Sequence, residues 1–136
     1  MNKLLCSILL SFVSLQASAA IAVIVHPSNA DNIDKKAIEN IYLGKTKSFP
    51  GGEQAVPVNM DASQSIKETF DTTVVGKSSS QLKSYWSKKV FTGKGTPPKE
   101  VPNAEDMIKL ISSNPNMIGY IDSSAVNDTV KVIGEF

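Results

Sequence analysis

The chain has 136 residues, 41% hydrophobic and 20% charged, with a formal net charge of +1. That length suits one domain with a real core and not two, and a charge so near zero supplies no overall field to recruit nucleic acid or an anionic membrane. Every basic residue is lysine, so arginine, the usual bidentate partner of phosphate and carboxylate, is missing.

Residues 1–19 read as an export signal. Lys3 gives a basic start, "LLCSILLSFVSL" an apolar core, and "ASA" the small-x-small form cut by signal peptidase. The apolar run is shorter than the ~20 residues a membrane span needs. Cleavage after Ala19 leaves residues 20–136 as a single domain in which lysines and acidic residues balance. Cys6 leaves with the signal, which removes disulfide and thiol chemistry from the mature chain.

"IAVIV" at 21–25 is a continuous β-branched run, the pattern of a strand buried on both faces. "HPSNADN" breaks it. Ile33, Ala37, Ile38, Ile41 and Tyr42 follow at helical spacing, with Asp31 or Asp34 as the cap and Gly44 as the stop. "KTKSFPGGEQ" is a turn-rich loop, and "AVPVN" at 55–59 a second strand leading into a helix through "MDASQSIKETF". "GKSSSQ" caps a third helix whose Leu82, Tyr85, Trp86 and Val90 form one apolar face. The Gly/Pro-rich "FTGKGTPPKEVPN" is a loop before a fourth helix, capped by Asn103 with Glu105 and Asp106 in its first turn. "MIGYID" and "VKVIGEF" are two further strands. Alternating strands and helices predict an α/β fold, a single layered domain with a mixed sheet flanked by helices.

Composition removes most catalytic chemistry. His26 is the only histidine, so neither a hydrolytic triad nor a metal site has its parts. Asp61, Glu68 and Asp71 read as a helix start and a solvated face, no enzyme is expected, and no cofactor is implied. "GKGT" at 93–96 lacks the phosphate-loop spacing and precedes prolines instead of a helix, so it reads as a turn. The informative stretch is "VNMDASQSIKETF", a strand running into a helix through Ser63, Gln64 and Ser65. A helix start with free hydroxyls and amides holds anions. Ser65 and Glu68 also match the S-x-x-E capping box, which needs no ligand. The residues alone leave both readings open.

The segments "VIVHPSNA...IDKKAIENIYLGKTKSF" and "NPNMIGYID" resemble the corresponding segments of bacterial phosphate-binding proteins of ABC importers, which carry a "psN" turn, an "IFxGK" helix end and an "NPGAIGY" strand. "VPVNMDASQSIKETF" falls where those proteins carry an "SGT" loop that holds phosphate. The resemblance runs in order through nearly all of the mature chain and implies one lobe of a two-lobed periplasmic binding protein, without the N-terminal "GxGS" phosphate loop. It implies a periplasmic solute-binding module for phosphate or a similar oxyanion, with Ser63, Gln64 and Ser65, and Ser28 and Asn29 of the "psN" turn, as ligand-binding candidates. The implied partners are an ABC transporter or a second protein lobe; nucleic acid and membrane insertion of the mature chain are not expected. The glycine of the family loop and the arginine that commonly follows it are absent here, which lowers the affinity expected. The alternative is an envelope interaction or sensory protein that kept the fold and lost the ligand.

Overall fold

Residues 20–136 are described by a computed structural model; the signal-peptide reading of 1–19 lies outside the described residues. Strand β1 (Ile21–Val25) has all five residues buried, as its unbroken apolar run requires. Helix α1 (Lys35–Tyr42) begins at Asp34, whose carboxylate accepts from the Ala37 amide at 2.8 Å. Just past the helix end, Gly44 adopts φ 68°, a left-handed conformation that L side chains rarely take. A Cβ there would also lie 3.1 Å from the Trp86 ring. The expected stop is thus also a point of close approach.

Strand β2 (Val56–Met60) leads to helix α2 (Ser65–Phe70), which runs on without a break into a wider π-type turn, Asp71–Val75. Helix α3 (Ser79–Phe91) opens with a reciprocal capping box between Ser78 and Gln81. Strand β3 (Lys99–Val101) lies inside the Gly/Pro-rich stretch expected to be a loop. It exists because it pairs in parallel with the edge of β2, Val58 opposite Lys99 and Met60 opposite Val101. Helix α4 (Ala104–Ser113) is capped by Asn103, strand β4 is Met117–Asp122, and strand β5 is Lys131–Glu135.

The five strands form one mixed sheet in the order β3-β2-β4-β1-β5. Strand β1 is antiparallel to both neighbours, while β2 is parallel to β3 and β4. Tyr120 of β4 packs against Tyr42 of α1 and Phe70 of α2, which places these helices on one face. On the other face, a side chain at Gly119 would collide with Met107 and Ile111 of α4, so the glycine lets that helix lie directly on the sheet. Helices on both faces bury β1 completely, and the layered α/β fold with a mixed sheet expected from the sequence is the fold observed.

The third helix departs from expectation. Leu82 is buried, but Tyr85 and Trp86 are only half-buried and Val90 is exposed. Tyr85 Oη and Lys89 Nζ both donate to the Leu43 carbonyl, at 2.6 and 3.1 Å, tying one side of α3 to the end of α1. Val90, with Phe91 beside it, faces open space.

Candidate functional site

A cleft of about 940 Å³ opens between that free side of α3 and the segment joining β2 to α2. One wall carries Ser63, Gln64 and Ser65, with Asn59 of β2 and Lys67 and Asp71 of the helix; the other carries Leu82, Trp86, Val90 and Phe91.

The serine wall is built by Asp61. Its carboxylate accepts from the Ser63 amide and its carbonyl from the Gln64 amide, both at 2.9 Å, while its own amide donates to Val101 of β3 at 2.8 Å. The Gln64 side chain donates to the Pro102 carbonyl at 2.7 Å. Tethered in this way, Gln64 takes the N-cap position with extended backbone and makes no side-chain cap bond. Ser65 is the first helical residue and not the cap, so the S-x-x-E capping box expected for Ser65 and Glu68 does not form. Among the described residues the amides of Ser65 and Ile66 and the hydroxyls of Ser63 and Ser65 find no hydrogen-bond partner. Those are the donors an anion needs, oriented by a helix start.

Asp71 is not on a solvated face. It is 1% exposed, and its carboxylate lies 2.7 Å from Lys67 Nζ. Burial pushes its carboxyl above the usual range, and the hydrogen bond and charge of Lys67 partly oppose that. The i, i+4 spacing of Lys67 and Asp71 was a readable sign of this pair. Lys67 is therefore committed to a carboxylate within its own helical run.

Beneath the cleft, Phe70 and Tyr120 stack with centroids 3.7 Å apart and planes 7° apart, and the Tyr42 edge meets Phe70 at 4.7 Å. The Tyr120 hydroxyl accepts from the Met60 amide at 3.1 Å and donates to the Asn59 side chain, fixing the end of β2 where the strand leaves β4. Burial raises the pKa of both Tyr42 and Tyr120, so each hydroxyl stays protonated and acts as a donor. Sequence reasoning missed Asn59, because a polar residue in a short strand carries no distinguishing pattern.

Ser28 and Asn29 are elsewhere. Val25 pairs with Ile118 and Pro57 with the same Ile118, so the loop after β1 emerges where β2 begins. The serine loop follows the opposite end of β2. The two groups of candidates do not form one site. In its own turn, Ser28 bonds the His26 ring at 2.7 Å, and Asn29 accepts from the Asp31 amide at 2.9 Å and from Lys131 at 2.8 Å. Among the described residues no group of three or more His, Cys, Asp or Glu could hold a metal ion.

No family model matches the sequence, and none of the curated proteins does. Solved structures do share the fold. A phosphate transport receptor of ABC type from Vibrio cholerae superposes with TM-score 0.66 at 19% identity, over 85% of this chain and 46% of that one. A protein from Clostridium perfringens, described as a phosphate ABC transporter substrate-binding protein and solved with bound phosphate, gives 0.67 at 23% identity over 85% and 45%. PstS from Borrelia burgdorferi gives 0.60 at 16% identity over 85% and 47%. This chain thus spans about half the length of the proteins it resembles, and it has the architecture of one lobe of such a receptor.

Proposed function

We propose that the chain is an exported solute-binding module that holds phosphate or a similar oxyanion at the helix start formed by Ser63, Gln64 and Ser65. In this reading residues 1–19 are cut off after Ala19 and the domain works in the periplasm, with an ABC transporter or a second lobe as its partner. The observation that carries the reading is the set of open donors, two amides and two hydroxyls, on the wall of a large cleft. The lobe architecture shared with phosphate receptors agrees with it.

Magnitudes bound the affinity. Attraction to a helix terminus is worth ~0.3 to 1 kcal/mol at an exposed site, whereas micromolar binding needs about 8 kcal/mol. One wall of neutral donors, with Lys67 held by Asp71 and Glu68 in the first turn, gives binding no tighter than roughly micromolar. Ser28 and Asn29, at the far end of the strands, take no part in this site.

Isothermal titration of the purified protein with phosphate, sulfate and molybdate tests the reading. Saturable heat with one of them is expected. No heat at millimolar anion would remove the binding role and leave the second reading, an envelope interaction or sensory protein. The commitment of Lys67 to Asp71 favours that second reading, because it withholds a cation from the loop.

A further inference from the structure

Helix α3 carries apolar surface that the fold leaves uncovered. Val90 is 52% exposed and Phe91 93%, and no other large hydrophobic side chain among the described residues is exposed. Both sit on the wall of the cleft, beside Leu82, Trp86 and the Pro97–Pro98 pair. A protruding aromatic ring and a groove with one apolar wall therefore share one face of the molecule. Contiguous exposed apolar surface of this kind marks an interaction site more often than chance exposure.

We infer that this face joins two copies of the chain, with Phe91 of each inserted into the cleft of the other. A two-fold axis through a face that holds both a knob and its groove makes each contact twice and closes the assembly. The charges agree with that arrangement. Exposed Lys83 stands on the α3 wall, and exposed Glu68 and Glu100 stand on the wall opposite. Turning a second copy over brings the Lys83 of each against the acidic wall of the other, so the rim attracts where a like-charged rim would repel. The free side of α3 is available for this because the bonds of Tyr85 and Lys89 to Leu43 hold the helix from its other side.

This docking does not depend on anion binding, although a second copy seated there would supply the missing face over the Ser63–Ser65 loop. Sedimentation velocity in phosphate-free buffer, on protein purified from the full chain over about 1 to 200 µM, tests it. The mass is expected to rise toward two copies. Phe91→Asp should weaken self-association by about tenfold or more with an unchanged far-UV circular dichroism spectrum, since the side chain is outside the core. Lys83→Glu should weaken it too, and Glu68→Lys with Glu100→Lys should restore it. A one-copy mass throughout the range, or Phe91→Asp associating like the wild type, overturns the inference. Titration with anions is read separately, so failure of one idea leaves the other standing.

Discussion

The ammonium of Lys67 lies 2.7 Å from the carboxylate of Asp71, which is 1% exposed. Breaking a buried pair strands a charge, so Lys67→Met should cost about 3 kcal/mol at neutral pH. Burial raises the folded pKa of Asp71 above its unfolded value. The folded state then binds more protons than the unfolded state in the window between the two values. The contribution of Asp71 is fully present below the unfolded pKa and is lost as pH rises through the folded one. Without Lys67 the folded pKa rises further, and the penalty of the variant should shrink as the pH is lowered toward 4. Urea denaturation of both proteins across the acidic range checks the sign; a penalty independent of pH would contradict it.

The serines give a second prediction. Neither Ser63 nor Ser65 makes a side-chain cap bond, so Ser63→Ala and Ser65→Ala should each leave the anion-free denaturation midpoint nearly unchanged. A capping Ser65 would have cost about 1 kcal/mol. On the proposed reading that this loop holds an oxyanion, both variants should reduce the stabilisation expected from added phosphate by mass action. Thermal melts with and without millimolar phosphate separate the two effects.

A true cap lies at Ser78, which accepts from the Gln81 amide while Gln81 reaches back to the Ser78 amide. Ser78→Ala should cost about 1 kcal/mol. Because α3 is tied to the rest mainly through Leu82, Tyr85 and Lys89, part of that loss should appear as local opening. Amide hydrogen exchange in α3 should accelerate more than exchange in β1.

Tyr120→Phe removes the hydroxyl that serves the Met60 amide and the Asn59 side chain at once. A buried amide left without a partner costs about 1 to 3 kcal/mol. The same change frees the end of β2, so anion binding at the following loop should weaken with it. Denaturation and titration of the one variant read both consequences.

Much of this fold was legible because its signals are local. Strand β1 announced itself by five apolar residues, α1 by the Asp34 cap and Gly44 stop, and "MIGYID" matched β4 residue for residue. Strand β3 was not legible, since its three residues become a strand only by adding to the edge of β2. The capping box at Ser65 failed for a related reason. Gln64 is held by Pro102 and Asp61 claims the neighbouring amides, and those tethers set where the helix starts. The separation of Ser28 and Asn29 from the serine loop depends on strand direction, which a local pattern does not encode. The half-exposed face of α3 has the same periodicity as a buried one, and only the tertiary arrangement shows that Leu82 is covered while Val90 is left open.

Among the described residues strand β1 comes first in the chain, yet it lies between the last two strands, β4 and β5. Its backbone donors and acceptors have no ladder to join until the far end of the chain is present. Bringing such distant segments together carries a loop-closure cost before any pairing offsets it. The centre of the sheet therefore cannot close while β4 and β5 are missing. Its cohesion hangs on two segments distant in sequence from β1, and removing β4 and β5 would strip that strand of both its neighbours at once.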